Sequence, residues 1–187
     1  MLNRYLLGAA VCAAACAAAP PAAASVIVLG NSDARLCYEA ADDPGQPSSN
    51  DLRRCDNALI SEALSNYEVV ATHVNRGILR LRRGMVDEAI SDFDRAIAMD
   101  PNQPEAYLNK GTALLRRQNA AEAMTLYTAA LERNTTRPAV AHYGRAIANE
   151  TLGNLSAAYR DYSEASRMAP NWSEPRVELT RFRVISR

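Results

Sequence analysis

Residues 77–101 read GILRLRRGMVDEAISDFDRAIAMDP, and their spacing of small and aromatic residues returns twice downstream. Gly77, Ala89, Phe93, Ala96 and Pro101 are echoed about 34 residues later by Gly111, Ala123, Tyr127 and Ala130. Another step gives Ala146, Ala158, Tyr162, Ala165 and Pro170. Self-similarity at such a period marks an array of supersecondary units, none of which buries its apolar face alone. Pro101 and Pro170 close the first and third units, because proline cannot continue a helix and restricts the residue before it.

The pattern closely resembles the tetratricopeptide repeat, a helix–turn–helix unit. The resemblance implies an all-α fold, a short right-handed α-solenoid of three units at 70–103, 104–138 and 139–172. It also implies roles for the small residues. Gly77, Gly111 and Ala146 let the first helix of a unit approach the second, Ala89, Ala123 and Ala158 answer from that second helix, and Ala96, Ala130 and Ala165 admit the next unit. Phe93, Tyr127 and Tyr162 fill the space between. The chain departs from the family where His73, Tyr107 and His142 take the usual tryptophan position, and where Arg80, Leu114 and Asn149 replace tyrosine. The second unit is one residue longer and lacks proline at Asn134-Thr135-Thr136, so the slack is expected before Pro138.

Residues 25–67 precede the array. Val26-Ile27-Val28-Leu29 favours β structure but is too short for a sheet, and is expected extended against helices. Ser32 is a helix cap for 33–41. Pro44, Gly45, Pro47, Ser48 and Ser49 make 42–50 a loop, and a second helix follows over 51–64. In the resulting hairpin Cys37 and Cys55 lie opposite each other and are expected to form a disulfide. Residues 173–187 supply a capping helix, with Pro175 in its first turn, and a tail.

The first 24 residues read as a signal peptide. Arg4 is the positive n-region, Tyr5 to Ala19 the apolar run, and Ala22-Ala23-Ala24 the small residues before cleavage at Ser25. An uncleaved anchor and a lipoprotein at Cys16 are the alternatives. Export, periplasmic in a Gram-negative bacterium, puts the two remaining cysteines in an oxidising compartment. Cleavage removes only Arg4 among the charged residues, leaving a net charge of −1. A balanced charge gives no reason to expect nucleic acid as partner.

No phosphate-binding glycine loop, nucleophile elbow or zinc-binding helix motif occurs. No cofactor, metal or catalytic residue is expected, and the chain does not read as an enzyme. His73 and His142 share one repeat position pointing into the stack and read as packed histidines with one satisfied nitrogen. Asp92 and Asp94 are expected in solvent. The resemblance places the working surface in the concave groove lined by the first helices, at Asn75, Ile78, Arg82, Asn109, Thr112, Arg116 and Tyr143. Asparagine suits peptide amides, and arginine grips carboxylates. A subfamily that clamps Glu-Glu-Val-Asp tails is matched by Asn109 alone, since Val74 and Ile78 stand where it uses lysine and asparagine. The expected function is an exported module that binds a peptide or partner protein in this groove. The alternative is a structural or self-associating part of an envelope complex.

Overall fold

The computed structural model describes residues 4–6, 24–28, 32–61 and 63–185. Most of the expected leader lies outside them. Helix α1 spans Asp33–Asp42 and α2 Ser49–Ser61; the three following hairpins are α3 Asn66–Arg82 with α4 Val86–Met99, α5 Pro104–Arg116 with α6 Ala120–Glu132, and α7 Pro138–Thr151 with α8 Leu155–Met168. A short α9, Glu174–Leu179, ends the stack. Strands β1 (Arg4–Leu6) and β2 (Arg183–Ile185) pair antiparallel, with Tyr5 opposite Val184. The architecture is a short all-α solenoid in which each second helix packs on the first helix of the next unit.

Local signals set the helix bounds. Ser65 accepts the Glu68 amide while the Glu68 carboxylate accepts the Ser65 amide, so α3 starts at Asn66, earlier than the repeat period suggests. The first helix of each unit ends on a left-handed residue: Gly84 (φ 79°), Gln118 (φ 60°) and Gly153 (φ 78°). The amides of Met85, Asn119 and Asn154 then reach back to the carbonyls of Arg80, Leu114 and Asn149. This pattern satisfies carbonyls that the helix leaves open. Asn134 (φ 59°) does the same at the end of α6, so the second unit stops without proline and its extra residue is absorbed before Pro138.

The recurring small residues are all fully buried, and the aromatics Phe93, Tyr127 and Tyr162 are no more than 2% exposed. A Cβ on Gly77 would lie 2.5 Å from Phe93, and one on Gly111 would lie 3.2 Å from Tyr127. Gly144, which the repeat register passes over, is equally constrained: its Cβ would lie 2.3 Å from Tyr127. At the N-terminal end, Cys37 and Cys55 form a disulfide that ties α1 to α2, and both are fully buried against α3. At the other end Phe182 and Trp172 cover Tyr143, Tyr159 and Tyr162.

Candidate functional site

An extended stretch of the chain itself lies against α3 and α5. Residues 24–28 alternate as a strand does: Ala24, Val26 and Val28 are buried while Ile27 is 55% exposed. Asn75 on α3 holds the centre. Its Oδ1 accepts the Val26 amide and its Nδ2 donates to the Val26 carbonyl, both at 2.8 Å. One turn-matched position along the array, Asn109 on α5 donates Nδ2 to the Ala24 carbonyl at 3.2 Å. The Ser25 hydroxyl donates to Asp42, and the Tyr67 hydroxyl donates to the Ile27 carbonyl. Beside this strand runs a cleft of about 360 Å³ whose walls include Tyr38, Asp42, Tyr67, Gln103, Glu105 and Arg137.

The other groove residues are placed differently. Ile78 is 2% exposed and belongs to the core. Arg82 donates to the carbonyls of Ala40, Ala41 and Asp43, closing the C-terminal end of α1, where a cation is favourable. Burial lowers the affinity of Arg82 for its proton, which the charges of Asp43 and Asp42 partly offset. Arg116 donates to the Leu81 carbonyl of the preceding unit. The Thr112 hydroxyl bonds the Leu108 carbonyl and the Tyr127 hydroxyl. Tyr143 packs against Tyr162 and Trp172, and its burial, with Glu178 and Glu174 nearby, pushes its phenol up to about 12. From this set the two asparagines are the residues that hydrogen-bond to the extended segment. The sequence reading did not single out Tyr67, Asp42 and Tyr38, which lie outside the repeat register that located the groove.

A second polar arrangement sits between paired helices. Asp92 is 1% exposed, not solvated as expected; Asp94 does reach solvent and pairs with Lys110 at 2.8 Å. Asp92 accepts from His73 Nδ1 at 3.0 Å, from Arg76 through two nitrogens at 3.0 and 2.6 Å, and from Arg80 at 2.6 Å. Arg76 also donates to Asp56, joining α2 to the first unit. The third unit repeats the device: Asp161 accepts from His142 at 2.9 Å, from Arg145 and from Asn149. In the second unit Leu126 stands at the aspartate position, and Tyr107 at the histidine position. Burial alone would raise the Asp92 carboxyl, but the bonds from His73 and Arg76 and the charges of Arg76 and Arg80 hold it below its ordinary 3.8. Each aspartate gathers its histidine and arginine donors from the facing helix, so the cluster ties the two helices of its unit together.

Residues 74–138 match the family model described as tetratricopeptide repeat. These residues carry the tetratricopeptide repeat. The repeats superpose on the first such domain of Spaghetti (RPAP3) bound to the HSP90 peptide SRMEEVD, at 26% identity and TM-score 0.58, covering 60% of this chain and 89% of that one. The first tetratricopeptide domain of the human RPAP3 protein is similar at 26% identity and TM-score 0.57, over 60% of this chain and 87% of that one. MamA from Desulfovibrio magneticus RS-1 shares the fold at 20% identity and TM-score 0.63, over 80% and 82% of the two chains. No curated relative matches this chain. Tetratricopeptide repeats are generally non-catalytic scaffolds for protein interaction, and this places the chain among protein-interaction modules.

Proposed function

We propose that this chain is an exported adaptor whose concave groove binds a peptide or partner protein in extended form. The observation that carries the reading is the pair Asn75 and Asn109, which engage main-chain groups of an extended segment across two adjacent units. A carboxamide matches the donor and acceptor of one peptide unit at once. The RPAP3 domain binds the acidic peptide SRMEEVD. Here Arg82 and Arg116 are engaged by carbonyls of the chain itself, which favours a partner that is not acidic. The buried Cys37–Cys55 bridge supports export, because such bonds persist in oxidising compartments. Among the described residues no helix is long and apolar enough to cross a membrane.

Site-specific photo-crosslinking in the native envelope tests the reading. A crosslinker replacing Tyr67, half-exposed beside the strand, is expected to capture a different protein, whereas one replacing Arg95 on the exposed face of α4 captures none. Capture only from Arg95, or adducts of the chain with itself alone, would favour the structural, self-associating alternative. That alternative draws support from the groove being lined by a segment of its own chain.

A further inference from the structure

We propose that residues 25–28, the segment that cleavage before Ser25 leaves at the start of the exported chain, are a built-in ligand of the groove, and that the groove's partner is an extended, uncharged peptide with small or β-branched apolar residues at alternate positions, which displaces them. The inference rests on the adaptor reading and specifies the partner's chemistry.

Four observations converge. The segment belongs to no helix, yet it is seated as a bound strand would be, with side chains alternately in and out. Its recognition is mostly main-chain: Asn75 takes both groups of Val26 and Tyr67 takes the Ile27 carbonyl, while Asn109, which holds the Ala24 carbonyl, is released for an incoming peptide when cleavage before Ser25 removes that residue. Main-chain bonds supply affinity for any extended peptide, and side-chain subsites supply selectivity. The two valines are buried in the same apolar cluster as Val70, Ala71 and Val74, so their subsites admit small or branched apolar groups and exclude charge. Finally, the cleft flanking the strand, walled by Tyr38, Asp42 and Glu105, leaves an approach for an incoming chain.

Tethering sets the magnitude. A short linker holds the segment at an effective concentration on the order of millimolar. A peptide of the same sequence whose own Kd is about 10 μM therefore meets a groove occupied roughly 100 to 1, and its apparent affinity falls by about 100-fold.

The test is titration of a labelled peptide carrying residues 24–30, ASVIVLG, against the exported chain beginning at Ser25 and its Val26→Asp variant. Aspartate in a buried subsite expels the tethered segment, so the variant is expected to bind the peptide about 100-fold more tightly than the unaltered chain. Val26→Pro, which removes the amide donor but keeps an apolar side chain, is expected to give a smaller gain. The same peptide N-methylated at the Val26 amide is expected to bind the Val26→Asp chain at least about 10-fold more weakly, since one bond to Asn75 is gone and the methyl group obstructs the other. Asn75→Ala is expected to weaken peptide binding about 10-fold in the Val26→Asp background and to change it little in the unaltered chain, where tethered and free ligands lose the same bonds. Equal binding by the unaltered and expelled chains, or indifference to N-methylation, overturns the inference. So does loss of the helical circular dichroism signal in both variants, because the segment is then a permanent part of the core. If crosslinking from Tyr67 still captures a partner while ASVIVLG does not bind, the adaptor reading stands and this inference alone fails.

Discussion

A Cβ placed on Gly144 would lie 2.3 Å from Cζ of Tyr127, a residue of the preceding unit. The Tyr127 ring is thus held between two glycines, Gly111 of its own unit and Gly144 of the next. Both contacts are backbone to ring, so the only relief is movement of a fully buried aromatic. Gly144→Ala is expected to destabilise the chain by about 1–3 kcal/mol despite alanine's better helix propensity. Gly111→Ala, with its contact at 3.2 Å, is expected to cost less. Urea denaturation of the two variants checks the order; a larger loss at Gly111 would contradict this packing.

The repeat period made the three hairpins and their small-residue seams legible, because each unit must solve the same packing problem. Gly144 escaped because it answers the neighbouring unit's tyrosine, not its own unit's ring. The start of α3 was written in Ser65 and Glu68, a local signal that the period overrode. Asn75 and Asn109 stood out as matched positions, but their occupant did not. Val26 is 49 residues from Asn75, and pairing at that distance has no local signature. Asp92 was misread for a related reason. Its partners lie across the hairpin on α3, and only the recurrence of His73, Arg76 and Asp92 as His142, Arg145 and Asp161 hinted that the three act together.

Overpacking a seam separates fold-critical alanines from ordinary ones. Ala130 is fully buried where the second unit meets the third, and Ala130→Leu is expected to cost about 1–3 kcal/mol. Ala120, the first residue of α6, is buried at 5% exposure, whereas its neighbour lies on the surface. Ala121 is exposed, and Ala121→Leu is expected to stay within about 0.5 kcal/mol of the unaltered chain. Thermal melts of both variants check this.

Gln118 holds φ at 60° where the equivalent positions of the other two units carry Gly84 and Gly153. Left-handed backbone costs a residue with a Cβ about 1 kcal/mol, and glycine recovers most of it after its larger entropy loss. Gln118→Gly is therefore expected to stabilise the chain by about 0.5 kcal/mol. A fall in melting temperature would show that the Gln118 side chain contributes more than its backbone strain removes.

The Cys37–Cys55 bridge closes a loop with a sequence separation of 18 and pins the N-terminal cap on α3. The chain-entropy model gives about 3 kcal/mol for a loop of this size. Replacing both cysteines by alanine is expected to lower stability by roughly that amount, read by urea denaturation with and without reductant. Reductant is expected to weaken the natural chain alone. Equal sensitivity of both chains would assign the effect elsewhere.

The Asp92 cluster predicts an acid limb of defined origin. Its carboxyl is held below the ordinary 3.8 when folded, whereas the unfolded chain titrates normally. The ionised group therefore contributes stability in full above that ordinary value, and the contribution is lost as pH falls through the lower, folded value. Asp92→Asn leaves Arg76, Arg80 and His73 around a neutral amide in a buried site, and is expected to cost about 3–5 kcal/mol near neutrality. The gap between the two chains should narrow as pH drops below about 4, because acid removes from the natural chain the same charge that the substitution removes. Asp161→Asn should follow the same course with a smaller gap, since Asp161 is slightly more exposed and pairs with one arginine where Asp92 pairs with two. Guanidinium denaturation from pH 7 to pH 3 measures both curves. A gap that stays constant across this range would show that Asp92 acts through its shape and not through its charge.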